Sequence, residues 1–256
     1  MDNNARNPIK TTRTTLRIVE VLAAQGGASV SELAATTPYT KGTVHNHLAT
    51  LREEGYVTKD GDTYHIGLRY LYPARRAKER AALTNVPTDP VVDLAQATGQ
   101  RIDLVVQQEH QAVLVHSEHG EKYAGPEGTV GATLPLHCSA PGKAILAHHD
   151  PVDPSDAIDV ADPVERTDHT ITDPEQLREE LEHVRDEGLA YDRGELHHGI
   201  QGIAVPLVLA GTVYGAIGVL GADEHMRGKT FQQDIPGLAI STAERVTQHL
   251  RETDTV

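Results

Sequence analysis

The chain has 256 residues, with 23 lysines and arginines against 37 aspartates and glutamates, and one cysteine, Cys138. That length allows one or two domains with a proper core, the lone cysteine excludes an intrachain disulfide framework, and no apolar run approaches a membrane span. The formal charge of −14 is unevenly divided: residues 1–85 carry 12 basic and 8 acidic side chains, residues 86–256 carry 11 and 29, so the chain pairs a basic end, suited to phosphate, with an acidic body.

MDNNARNPIK has no apolar signal core, so a cytoplasmic protein with no membrane partner is expected. Residues 1–12 read as a polar tail with Pro8. Thr14 to Ala24 is the first helix, with Leu16, Val19 and Leu22 or Ala23 on its covering face and Gly26-Gly27 ending it. Ala28 to Ile66 then reads as two short helices, a tight turn and a hairpin. Ser31 is expected to cap the first of these helices, whose Val30, Leu33 and Ala34 face inward, and Thr37, Pro38 and Tyr39 break it. Thr40 caps the second. There Val44, Leu48 and Leu51 recur at the spacing of one buried stripe, which leaves Lys41, Thr43, His45, Asn46 and Arg52 free to touch something. Gly55 stops the helix. Tyr56-Val57-Thr58 and Thr63 to Ile66, joined by Lys59-Asp60-Gly61-Asp62, form a hairpin with Lys59 near its tip.

This order of elements is a winged helix-turn-helix, which places the second helix in a DNA major groove. Thr43, His45 and Asn46 are the candidates to read bases, and Lys41, Arg52 and Lys59 to hold phosphates. An ordinary pair of helices with a merely solvated polar face is the alternative, and the hairpin weighs against it.

Gly67 to about Leu83 is helical in pattern, with a kink expected at Pro73, and carries Arg69, Arg75, Arg76, Lys78 and Arg80. Its Leu68, Tyr70, Leu71 and Tyr72 are too apolar for a free linker; they suit a surface between subunits or packing on the same chain. The prolines between Asn85 and Pro90 mark the best boundary. The expected division is therefore 1–66 for the reader, 67–85 for a linker helix and 86–256 for the second domain. In that domain Val91 to Thr98 reads as a helix, Ile102 to Gln107 and Ala112 to Ser117 as strands, and Thr129 to Cys138 as extended. Ser139 to His148 is a helix, Pro151 to Thr172 an acidic surface loop with a short helix, and Asp173 to Glu187 a surface helix. Ile200 to Leu209 and Thr212 to Leu220 are strands about a tight Ala210-Gly211 turn, and Phe231 to Arg251 is the last helix. The whole is α+β, of a sensor type. The acidic excess of this body suits a surface kept hydrated in concentrated salt, where counterion release contributes little and base contacts and dimerisation carry more of the affinity.

Catalytic chemistry finds little support. His137 and Cys138 are adjacent, so on a strand they point apart and cannot act as nucleophile and base together. Among 15 histidines, His116, His119, His148, His149, His197 and His198 are the metal candidates, yet no metal-ligand spacing is present, and neither a metal nor a cofactor is expected. Pro141-Gly142-Lys143-Ala144 lacks the glycine spacing and the hydroxyl of a phosphate loop. Asp192 and Glu195 are either a carboxylate pair or a solvated turn.

Several segments together carry a family likeness: Leu16 to Leu22, Lys41-Gly42-Thr43-Val44-His45, Leu48-Ala49-Thr50-Leu51, Glu54-Gly55-Tyr56-Val57, Leu134 to Ala144, Gly188 to Asp192, and Gly202 to Pro206. In this order and at these separations the chain resembles the IclR family of transcriptional regulators over nearly its whole length. The resemblance implies a winged helix-turn-helix, a linker helix and a C-terminal GAF-like α/β effector domain. It further implies a homodimer or dimer of dimers on double-stranded operator DNA, controlled by a small organic effector. By position, the effector pocket would be lined by Ala140, Pro141, Asp192, Gly202, Gly218 and Leu220. Where many members place a cysteine this chain has Gly202, and where they place serines it has Gly218 and Leu220. A larger, more apolar pocket and a bulkier or less polar effector than a glyoxylate-like acid are therefore expected. The first helix has Thr14, beside Arg13, where an arginine is common. The competing reading is a metabolite-binding or enzymatic GAF-like protein whose N-terminal module serves as an interaction domain.

Overall fold

Ile18, Leu22, Leu33, Val44, Leu48, Val57 and Tyr64 are buried against one another and form the core of the N-terminal region. They come from three helices and a hairpin in the computed structural model, which describes residues 7–109, 111–148 and 163–253. Helix α1 spans Lys10–Ala24, α2 Val30–Thr36 and α3 Lys41–Glu53; strands β1 (Val57–Asp60) and β2 (Thr63–Ile66) pair antiparallel. Two of the expected details change. The buried face of α1 is Thr14, Ile18 and Leu22, a strict four-residue stripe, and Leu16 points to solvent. The cap of α2 is Ser29, which accepts from the Glu32 amide while the Glu32 carboxylate accepts from the Ser29 amide. This reciprocal box satisfies two amide donors at once, so it outcompetes Ser31, which lies inside the helix. Residues 10–12 are helical rather than tail, and residues 1–6 lie outside the described residues.

The hairpin turn is tighter than expected: Asp60 pairs with Thr63, so only Gly61 and Asp62 turn, with Gly61 at the first central position supplying the positive φ of +55° that such a two-residue turn requires. A single bridge between Ala28 and Tyr64 adds the segment before α2 to the wing.

A 3₁₀ turn at Leu68–Tyr70 leads into α4, Leu71–Arg80. Pro73 therefore falls in the first turn of α4, where its missing N–H breaks no intrahelical bond; the expected kink gives way to a change of helix type just before it. The side chains of residues 71–80 are all exposed, and the chain divides within α4 into two compact units, Met1–Ala77 and Lys78–Val256.

The second unit is a six-stranded sheet between two helical layers. Beyond a 3₁₀ turn at Ala82–Asn85 come α5 (Asp89–Thr98), β3 (Arg101–Gln108), β4 (Gln111–His119), β5 (Thr133–Leu134) and α6 (Ala140–Ala147). Helix α7 (Pro174–Glu187), β6 (Ala190–Arg193), β7 (Ile200–Leu209) and β8 (Thr212–Ala222) follow. A π turn at Thr230–Asp234 runs into α8, Ile235–Thr253. Strand order is β5-β4-β3-β8-β7-β6, with every neighbouring pair antiparallel.

Alternate residues of the central strands separate by size. Ile203, Val205, Leu207, Ile217 and Val219 pack with Leu94 of α5 and with Ala239, Ala243 and Val246 of α8. Ala204 and Ala216 pack with Ala140, Ala144 and Ile145 of α6 and Leu177 and Leu181 of α7. Small residues on one face thus let α6 lie close to the sheet, while branched residues fill the wider gap on the other.

Two expectations for this unit are corrected. Only Thr133–Leu134 of the extended stretch 129–138 is strand, and residues 136–138 form a turn. Strand β6 lies where no strand was expected. It is only four residues long and lies at the sheet's end, too short for a clear period. Of the expected acidic loop at 151–172, residues 151–162 lie outside the described residues.

Candidate nucleic-acid interface and effector site

The exposed face of α3 is held by its ends and by one contact to α1. At its start the Thr40 hydroxyl accepts from the Thr43 amide at 3.2 Å, which satisfies a donor that the helix leaves free. At its end the Arg69 guanidinium donates to the Glu54 carbonyl while lying 5.2 Å from the Tyr56 ring centre, and Tyr56 meets Tyr70 edge-on at 4.8 Å. Gly67 makes this approach possible, since a Cβ there would sit 2.7 Å from the Gly55 carbonyl oxygen. Near the middle of α3, His47 Nδ1 and Thr15 Oγ1 are 2.8 Å apart, which ties the helix to α1.

With Val44 and Leu48 buried, Lys41, His45, Asn46 and Arg52 are exposed. On a 3.6-residue period Lys41, His45 and Arg52 share one flank, Asn46 sits mid-face and Thr43 lies on the other flank. Thr43 is half-buried, its hydroxyl 3.0 Å from that of Thr40. Lys59 is less free than expected: its Nζ lies 5.4 Å from the Tyr64 ring centre and 3.8 Å from the Asp62 carboxylate, two residues back from the turn. Such an exposed ion pair is weak, so the ammonium can exchange Asp62 for a phosphate.

In the second unit, strand pairing joins the expected effector residues. Asp192 of β6 pairs with Gly202 of β7, Gly202 pairs with Leu220 of β8, and Ala204 pairs with Gly218. Helix α6 starts over them, capped by Ser139, whose hydroxyl accepts from the Gly142 amide at 3.1 Å. All six residues are buried. At Gly218 the missing side chain opens no space, whereas at Gly202 a Cβ would sit at ordinary contact distance. A Cβ at Gly202 would lie 3.4 Å from the Ala140 Cβ and 3.5 Å from the Asp192 Cβ, and one at Gly218 would lie 2.7 Å from the Pro141 ring. The space at Gly218 is taken by the N-terminus of α6, because close packing fills a void wherever an element can approach. A separate open groove of about 760 Å³ runs along α8 and β7, lined by Val205, Val208, Ile240 and Thr247 among others, and none of the six residues borders it.

Beside the cluster lies a charge network that sequence reading missed. Lys143 of α6 is fully buried, and its ammonium donates to Glu195 at 2.7 Å and to Glu180 of α7 at 2.8 Å. Asp192 Oδ1 accepts from the amides of Glu195 at 2.7 Å and Leu196 at 3.4 Å. Asp192 and Glu195 are therefore a buried carboxylate pair and not a solvated turn. Burial first, and the neighbouring Glu195 charge second, push the Asp192 carboxyl up to about 7. Burial also raises Glu195, although Lys143 opposes it. The only trace in the sequence is a lysine in an otherwise apolar helix, Ala140 to Ala147. A lysine on that face needs a buried partner.

The cysteine is inert. Cys138 is buried, its thiol pushed up to about 12, chiefly by burial, and a thiol so rarely ionised is no nucleophile.

Comparison with known proteins gives a consistent result. The IclR helix-turn-helix domain matches residues 13–61, and the C-terminal domain of bacterial IclR transcriptional regulators matches residues 76–248. The glycerol operon regulatory protein of Streptomyces coelicolor is 32% identical over 77% of this chain and 78% of its own. A probable HTH-type transcriptional regulator ArcR of Halobacterium salinarum is 28% identical over 92% of this chain and 91% of its own. Among solved structures, an IclR homologue of Microbacterium hydrocarbonoxydans, complexed with 4-hydroxybenzoate, superposes with a TM-score of 0.78 over 95% of this chain and 100% of the other. At 19% identity it shows the shared fold.

Proposed function

The chain belongs to the IclR family of transcriptional regulators, and from that premise we propose that it binds double-stranded operator DNA as a homodimer or dimer of dimers in the cytoplasm. The working division is a reader at 1–66, a linker helix at 67–85 and an effector domain at 86–256. Asn46, His45 and Thr43 read base edges, while Lys41, Arg52 and Lys59 hold phosphates. The observation that carries this is the exposed, donor-rich face of a helix capped at its start and packed on α1, with a two-stranded wing beside it. Exposure of Leu68, Leu71 and Tyr72 supports pairing of two copies through the linker.

The effector site is the cluster of Ala140, Pro141, Asp192, Gly202, Gly218 and Leu220, and it has no catalytic role. Lys143, the cation beside this cluster, is already paired with Glu195 and Glu180, which favours an effector that is less polar than glyoxylate. Among the described residues no helix is long and apolar enough to cross a membrane.

The test is fluorescence anisotropy on the DNA upstream of its own gene, across a salt series, with a panel of small carboxylates, sugar acids and aromatics. Saturable binding that one compound strengthens or weakens is expected. Equal affinity for this DNA and random DNA at every salt concentration would overturn the reading.

A further inference from the structure

Two loops far apart in sequence meet at the edge of the second unit, and their meeting point carries a set of ligands. Thr167 donates its hydroxyl to the Gly194 carbonyl at 2.7 Å, and Thr170 donates to the Glu195 carbonyl at 2.7 Å. The Thr170 hydroxyl in turn accepts from the amides of Arg166 and Thr167, and Thr167 Oγ1 accepts from the His169 amide at 3.2 Å. Gly194 sits at φ +84°, and the His169 ring packs beside it. The backbone of residues 166–170 is thus fixed against Gly194 and Glu195.

Fixed in this way, Asp168, His169 and His198 offer three ligand atoms that all lie within 4.8 Å of one another. Both rings aim a nitrogen at the same oxygen: His169 Nε2 is 3.8 Å and His198 Nδ1 3.6 Å from Asp168 Oδ1. All three side chains are exposed. Two imidazoles and a carboxylate suit Zn²⁺ and its neighbours Ni²⁺ and Cu²⁺, and not the hard cations that seek oxygen alone. Bonds of about 2.0–2.2 Å to a tetrahedral ion bring ligand atoms to about 3.3 Å apart. The two histidine–aspartate separations, 3.8 and 3.6 Å, are about 0.5 Å or less wider than that, which exposed side chains close by small rotations within their rotamer wells.

We propose that Asp168, His169 and His198 form a divalent transition-metal site with at least one open coordination position. The ion clamps residues 166–170 to the loop that follows β6. Because that loop also supplies the Glu195 and Leu196 amides to Asp192, the metal stiffens one wall of the buried carboxylate cluster. Sequence reading could not find the site: His198 was visible only with its neighbour His197, and its partners stand some thirty positions earlier.

The test is calorimetric titration of tag-free, metal-stripped full-length protein with Zn²⁺, repeated with Ni²⁺. One tight site per chain is expected above the weak background of the other histidines. His169→Ala and His198→Ala should each weaken it at least tenfold, Asp168→Asn should weaken it less, and His197→Ala should leave it unchanged. X-ray absorption of the loaded protein should show two imidazole ligands. Since the substituted side chains are exposed, far-ultraviolet circular dichroism should not change. Absence of a tight site, or equal loss with His197→Ala and His198→Ala, would overturn the proposal.

Discussion

The two units use polar residues in opposite ways. In the first, an apolar core of Ile18, Leu22, Leu33, Val44 and Leu48 supports a helix whose polar side chains remain in water. In the second, Lys143, Asp192 and Glu195 are inside, each with a buried partner. The difference teaches where each unit's stability and specificity reside. The reader can lose polar side chains and stay folded, whereas in the second unit loss of Lys143 leaves the buried Glu195 carboxylate without its cation.

The comparison would break first at Lys143. Replacing it with alanine leaves Glu195 buried without its cation, and a loss of about 3–5 kcal/mol is expected in urea unfolding. The double variant Lys143→Ala/Glu195→Ala should recover part of that loss; if the two changes simply add, the network is not the coupled unit described here. In the reader the corresponding weak point is apolar. Leu48→Ala should cost about 3 kcal/mol through lost burial and a cavity, and a cost below 1 kcal/mol would mean that α3 is not anchored by its buried stripe.

Asp192→Asn sharpens the contrast through pH. The carboxyl sits near 7 in the folded chain against 3.8 in the unfolded one, so the folded state holds its proton more tightly. Stability from this group is complete below pH 3.8 and is lost as the pH rises through 7. The asparagine keeps an acceptor for the Glu195 and Leu196 amides and has no proton to lose. Thermal melts should show the variant gaining on the parent between pH 4 and pH 7, by about 4 kcal/mol at pH 8. A constant difference across that range would contradict the buried, raised carboxyl. The smallest effect is on the exposed face: Asn46→Ala should leave unfolding unchanged and cost about 1–3 kcal/mol on cognate DNA alone. Equal losses on cognate and random DNA would remove Asn46 from base readout.

The same contrast explains what could be read from the sequence. Reader elements are local: Thr40 before α3, the Val44-Leu48-Leu51 stripe and Asp60-Gly61 each announce themselves within a few residues. Even there, Ser29 and Ser31 compete for one cap, and only the Glu32 side chain, reaching back to the Ser29 amide, decides between them. In the second unit the information is spread along the chain. The family likeness located Asp192, Gly202 and Gly218, yet what fills the space at Gly218 is the Pro141 ring from another element. Lys143 finds Glu180 and Glu195 across 37 and 52 positions, and no periodicity encodes such pairs. Small and large residues alternate along β7 and β8, a pattern in size that a polar/apolar reading passes over.

The most direct test of the account replaces Lys41, Thr43, His45 and Asn46 together with alanine in the full chain. DNA binding is then measured alongside the thermal shift given by whichever compound alters binding of the parent protein. The account predicts that specific DNA binding disappears while the compound still stabilises the second unit to the same degree. Retention of specific DNA binding by that variant would contradict it.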